Sequence, residues 1–249
     1  MGDEGGPGRG ATFTDRDLRR ARFVRCDLSD AVLRAVEVRN ADIDAPWLAE
    51  GGRLLVNGVD VVPFVEAELD RRFPGRALRR ASDPAGLREA WAAVERTWAA
   101  TLDRATAMPP GSVDVGVDGE WSCAETLRHL VMATDTWLRG AVLEVPAPYH
   151  PIGRPNAEYA TDGHDLSVFR TDTPEYAEVL EVRAGRVRLV REFLATVTPE
   201  RLAEIRRHPW DPDQSETVLG CLQVILSEEW EHHRYVVRDL DAIAARTTG

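Results

Sequence analysis

A chain of 249 residues is long enough for one large domain or two small ones, and 43% hydrophobic content supports a packed core. Its 42 acidic against 31 basic residues leave a net charge of −11, which argues against a nucleic-acid backbone or an anionic membrane as the main partner. All 31 basic residues are Arg, and without Lys there is no Schiff-base lysine, no lysine-anchored pyridoxal phosphate, no phosphate-loop lysine and no kinase lysine. The Arg, Ala and Val bias suggests a GC-rich genome. Cys26, Cys123 and Cys221 are too few and too scattered for a disulfide framework or a Cys-rich zinc module, so a reducing cytoplasm is expected. The sequence shows neither a signal segment at its start nor an apolar run of transmembrane length.

Residues 1–10 are Gly-rich and are expected to be disordered. A period of five then begins. Phe13, Leu18, Phe23, Leu28, Leu33, Val38, Ile43 and Leu48 are bulky and apolar, and mostly small residues stand two positions before each. Neither a helix nor a flat strand places every fifth residue inside, whereas a square-sectioned coil with five residues per face does. Residues 11–50 therefore resemble pentapeptide-repeat proteins, and the resemblance implies a short right-handed quadrilateral β-coil of about two turns. Residues 51–82 read as a connector: a hairpin around Asn57-Gly58, then a helix opened by Pro63 and closed by Pro74-Gly75.

Four long helices are predicted from Asp83 onward, over 83–249, so the fold class is mainly α. The first is announced by Asp83-Pro84 and carries Leu87, Trp91, Val94, Trp98 and Leu102 on one face. Ser122 and Glu125 make a capping box for the second, which runs to about Leu143. The third starts at Thr173-Pro174 and shows Tyr176, Leu180, Val187, Val190, Leu194 and Val197. The fourth, Ser215 to Arg246, carries Leu219, Leu222, Leu226, Val236, Leu240 and Ile243 in steps of three and four. Some thirty residues separate the second and third helices, enough for a crossover within a four-helix bundle.

Glu229 and His233 lie on the apolar stripe of the fourth helix. Two ionisable groups one turn apart on such a seam are costly to bury without a partner, and a divalent metal suits a carboxylate and an imidazole at i, i+4. A third ligand must come from elsewhere. His232 acting together with Glu228 is the alternative pair. Arg183, on the third helix's stripe, is a candidate for an anionic substrate or cofactor group, and His150, in the long loop, for an acid–base group or fourth ligand.

Trp121-Ser122-Cys123-Ala124-Glu125-Thr126-Leu127-Arg128-His129-Leu130 on the second helix, with Glu229-Trp230-Glu231-His232-His233 on the fourth, resembles the DinB family of metal-binding four-helix proteins. Members of that family, with the related low-molecular-weight-thiol transferases and maleylpyruvate isomerases, hold a divalent metal with one His from the second helix and a His-x-x-x-His pair from the fourth. The resemblance thus implies His129, Glu229 and His233 as ligands, with Glu where His is usual, and leaves Zn, Ni, Fe or Mn open, Zn foremost. It implies a metal-activated thiol or water as nucleophile, thiol S-transfer first and hydrolysis second, with mycothiol as the natural thiol if the GC-rich genome is actinobacterial. A small-molecule substrate and a homodimer are expected. The competing reading is a non-catalytic interaction module with a structural or vestigial metal site.

Overall fold

The computed structural model describes residues 10–49, 51–156, 159, 163–211 and 213–247. The Gly-rich start, apart from Gly10, lies outside the described residues. The chain divides into two compact units, Met1–Asp44 and Ala45–Gly249.

In the first unit the backbone keeps the five-residue period. Asp15, Arg20, Arg25, Asp30, Ala35 and Asn40 all take φ between 52° and 67°. Ala21, Ala31 and Ala41 donate their N–H groups to the carbonyls of Leu18, Leu28 and Val38, each at 3.0 Å. The quadrilateral β-coil expected here is nevertheless not what these residues show. No strand lies in 10–44, and side chains expected inside are open to solvent, from Leu18 at 47% to Ile43 at 69%. About two coils supply too few stacked neighbours to exclude water from a central side chain.

The second unit opens with a hairpin of β1 (Leu55–Val56) and β2 (Val59–Asp60), in the register Leu55↔Asp60 and Val56↔Val59. Asn57 and Gly58 both have positive φ, as a tight two-residue turn requires. Helix α1 (Val62–Arg72) follows and leads into a 3-10 turn, Arg76–Arg80. At Gly75 the chain lies so close to the core that a Cβ would meet Ala93 at 2.9 Å and Trp230 at 3.3 Å, and its φ of 101° suits glycine besides. Buried Arg76 pairs with Glu66, Asp70 and Glu231, tying this segment to the last helix.

The bundle consists of α2 (Pro84–Ala107), α3 (Cys123–Thr134), α4 (Tyr176–Thr196) and α6 (Val218–Thr247). The Asp83 carboxylate caps α2 by accepting from Ala85 and Gly86, and Ser122 with Glu125 completes a capping box on α3. The second predicted helix does not stay α-helical to its end: Asp135–Val142 continues α3 as a π-helix. Asp135 there is fully buried and collects the His150 backbone N–H at 2.8 Å, Arg186 at 2.5 Å and Arg139 at 3.3 Å, interactions that hold the widened turn in place. Ser215 does not cap the last helix. It lies in β4 (Ser215–Thr217), paired with β3 (Ile205–Arg207) just after the short α5 (Pro199–Leu202). Thr217 takes the capping role by accepting from Gly220 at 2.9 Å.

Around the bundle the order is α2, α4, α3, α6, so helices consecutive in sequence can be diagonal in space. Thr101 meets His233 and Arg104 meets Asp241, which makes α2 and α6 parallel. Tyr176 faces Cys123 and Arg186 meets Asp135, so α3 and α4 are parallel too. Parallel neighbours need a connection that returns the length of the bundle, and residues 143–175 supply it. That segment packs Tyr149, Tyr159 and Phe169 around Met132. The core is filled by Leu87, Trp91, Leu127, Leu130, Val190, Ile225, Trp230 and Leu240, all at 2% exposure or less, each such aliphatic side chain stabilising by about 1.5–3 kcal/mol. Among the described residues no helix is long and apolar enough to cross a membrane.

Candidate metal centre

Residues at i and i+4 share a helix face, whereas adjacent residues point about 100° apart. Helix α6 therefore presents two separate pairs: Glu228 with His232, and Glu229 with His233. Packing sends them to different places.

Glu228 and His232 face α3. The Oε2 of Glu228 lies 3.3 Å from His129 Nε2 and 3.3 Å from His232 Nδ1. One ligand atom from each of His129, Glu228 and His232 falls within 4.8 Å of the other two, and among the described residues no other three His, Cys, Asp or Glu side chains gather in this way. The two imidazoles stack at 4.7 Å, and Trp121 lies over them at 4.8 Å from His129 and 6.3 Å from His232. The capping box that starts α3 fixes where Trp121 ends and the helix begins, and so sets its indole beside His129 two turns on.

Hydrogen bonds orient the rings. His129 Nδ1 is 3.0 Å from the Arg154 carbonyl oxygen. A proton on that nitrogen donates to the carbonyl and leaves the Nε2 lone pair turned to Glu228, the arrangement that metal-binding imidazoles use. His232 Nδ1 lies 2.9 Å from the Glu228 carbonyl. Burial would raise the Glu228 carboxyl, but the close approach of His129 and His232 outweighs it and holds it below the usual range. Burial first, and then His129, push the His232 imidazolium down to about 4, so that ring is neutral at pH 7. Glu228 Oε2 is buried and, among the described residues, receives no hydrogen bond of proper geometry. An acceptor stranded between imidazole nitrogens lacks a positive partner. A divalent cation satisfies it, and two His with one carboxylate is a donor set suited to Zn or Fe.

Among the described residues the ligand set expected from sequence, His129 with Glu229 and His233, is not brought together. Glu229 and His233 point away from His129, toward the bundle axis. Glu229 is 1% exposed and receives Arg183 Nη2 at 2.5 Å on both oxygens. His233 Nε2 lies 2.8 Å from the Thr101 hydroxyl, with its ring against the edges of Trp98, Phe73 and Trp230. Arg183, expected to receive an anionic group, is committed to Glu229. His150 does not reach the triad either: its Nδ1 accepts from Ile152 at 3.2 Å and its backbone anchors the long loop to Asp135.

Burial pushes the His233 imidazolium down from 6.5 to about 4. The unfolded chain therefore binds an extra proton between those two values, and stability falls as pH drops through that window, by ~3 kcal/mol in full. In chelator-treated protein, His233→Gln should remove about one proton from the pH slope of unfolding free energy between 6.5 and 4. An unchanged slope would contradict the burial of a neutral ring.

A family model described as the DinB superfamily matches residues 93–236, more than half of the chain. The chain belongs to the DinB superfamily. The matched stretch of this DinB protein runs from α2 into α6 and takes in His129, Glu228 and His232. Among solved structures, YfiT from Bacillus subtilis, described as a probable metal-dependent hydrolase with an unusual four-helix bundle topology, is similar at a TM-score of 0.45 and 17% identity, over 63% of this chain and 87% of that one. No curated protein matches the sequence.

Proposed function

We propose that this DinB protein is a divalent-metal-dependent enzyme whose cation is held by His129, Glu228 and His232. The observation that carries the proposal is the buried Glu228 oxygen placed 3.3 Å from an imidazole nitrogen on either side and, among the described residues, lacking a hydrogen-bond donor. A divalent metal in such a site lowers the pKa of a thiol or water enough to make it a nucleophile at neutral pH. Three protein ligands leave a position for that group. The Arg154 carbonyl holds the His129 ring in place, Trp121 shields the imidazoles from solvent, and the carboxylate of Glu228 offsets part of the metal's charge.

Neither buried cysteine of the bundle unit supplies the nucleophile, which we assign to a molecule from outside the protein. Cys123 and Cys221 are buried, and burial pushes both thiols up to about 12, so neither supplies a thiolate at neutral pH. The resemblance to thiol transferases puts a small-molecule thiol first, with mycothiol as the candidate, and water second. Three free cysteines suit a reducing cytoplasm. With metal-loaded protein, a thiol cofactor and a generic electrophile should give conjugate at a rate abolished by chelation and restored by adding metal. Omitting the thiol and supplying an ester or amide reads out the hydrolytic alternative. Turnover that persists at full rate in chelator would contradict metal dependence.

One observation favours an interaction role for part of the chain. Phe13, Phe23, Leu33 and Ile43, ten residues apart, are each at least 60% exposed, and apolar groups so displayed are typical of contact surfaces. A metal that stabilises the fold without supporting any turnover would support the interaction reading for the whole chain.

A further inference from the structure

Arg76, Arg128 and Arg183 are the buried arginines among the described residues. Arg76 and Arg183 are each paired with a carboxylate. Arg128 is 6% exposed, and its one partner among the described residues is the Ile152 carbonyl, which accepts from Nε at 2.8 Å. A guanidinium keeps its charge even when buried, and an unpaired buried charge is unfavourable unless something binds it.

Arg128 does not face a sealed interior. It lines a cavity of about 150 Å³ together with Arg154, Arg170, Thr171, Leu166 and Phe169. Arg154 is bonded at 3.0 Å to Glu125, and Arg170 to Asp172 at 2.5 Å and Glu178 at 2.8 Å, so the neighbouring acids are engaged by the other two arginines. Burial, and then the charge of Arg154, pull the Arg128 pKa below its ordinary value, with a smaller pull from Arg170 and with Glu125 and Asp172 offsetting part of it. Among the described residues no carboxylate bonds Arg128, so its positive charge faces a space that holds a few non-hydrogen atoms.

The cavity adjoins the candidate metal centre. Arg128 precedes His129 on α3, Arg154 N–H donates to the Arg128 carbonyl at 3.2 Å, and the Arg154 carbonyl holds His129. The Arg154 guanidinium lies 5.6 Å from the centre of the Trp121 ring that covers both imidazoles. We infer that the Arg128 cavity is an oxyanion-binding subsite, which takes a carboxylate or phosphate group of the substrate and places the rest of that molecule at the metal centre. The second half of this statement rests on the metal-centre reading; the first half does not. Planar, forked N–H donors suit both anions, since each presents paired oxygens to a guanidinium.

The test is calorimetric titration of inorganic phosphate and, separately, acetate into the full-length protein, against sodium chloride at matched ionic strength, both metal-loaded and chelator-treated. Saturable binding of at least one anion is expected in both forms, weakened at least tenfold by Arg128→Met, partly restored by Arg128→Lys, and weakened a few-fold by Arg170→Gln. Phosphate alone binding points to a phosphorylated substrate, and acetate alone to a carboxylate. Absence of binding to the wild type, or equal affinity in Arg128→Met, overturns the subsite. Binding confined to the metal-loaded form overturns it as well, because the anion is then on the metal. If Arg128→Met does not fold, unchanged affinity in Arg170→Gln overturns it instead. Anion binding in a protein that takes up no metal would leave the subsite standing and remove the metal-centre reading.

Discussion

Glu228→Gln and His232→Ala are each expected to abolish stoichiometric metal binding, whereas Glu229→Gln and His233→Ala should leave it intact in whatever fraction remains folded. The two pairs are neighbours in sequence and have the same spacing, so their separation depends on rotation about the α6 axis alone. Loss of a partner that merely orients a ligand costs 10–100-fold in affinity, and loss of a direct ligand should cost more than ~100-fold. Glu228→Gln is the sharper variant, since it removes the charge and keeps the shape. Metal content per chain, measured by elemental analysis after dialysis against a weak chelator, separates the two pairs. Retention of metal in His232→Ala together with loss in His233→Ala would reverse the assignment.

The second large effect is on stability. Arg183→Met leaves the Glu229 carboxylate at 1% exposure without its cation, and stranding one member of a buried ion pair costs about 3–5 kcal/mol. Burial already pushes that carboxyl up against the pull of Arg183, so part of the cost will be relieved by protonation at low pH. The double variant Arg183→Met with Glu229→Leu should recover most of the loss, because apolar residues of similar volume replace buried pairs at little net cost. Urea unfolding of the four proteins gives the coupling. Additive effects, or a single-variant cost below about 1 kcal/mol, would show that Glu229 is served by something other than Arg183.

The helices were legible because their signals are local. Asp83-Pro84, the Ser122 and Glu125 box, and the apolar steps of the last helix each declare an element within a few residues. Glu229 and His233 stand apart from His129 for a reason the sequence pattern does not carry. An apolar stripe with two ionisable groups on it does face the core, but this one faces the bundle axis, where Arg183 and Thr101 close it off. A metal that meets substrate needs a position near the rim. His129 lay at the edge of its own helix's apolar face, and that was the usable signal: its partners had to come from the matching edge of α6, where Glu228 and His232 stand. The π-helical turn at Asp135 and the pairing of Ser215 with Arg207 had no such signal, because both depend on contacts from distant segments, Arg186 and His150 in one case and β3 in the other. Arg128 was unreadable for the opposite reason. Its distinction is the absence of a carboxylate partner among the described residues, and an absence in space leaves no pattern in sequence.

The claim that His129, Glu228 and His232 form one metal centre is tested most directly by anomalous X-ray scattering from crystals of the full chain grown with zinc or manganese. The account predicts a single strong peak about 2.0–2.2 Å from His129 Nε2, a Glu228 carboxylate oxygen and an imidazole nitrogen of His232. A peak between Glu229 and His233, or none near His129 at saturating metal, would contradict it.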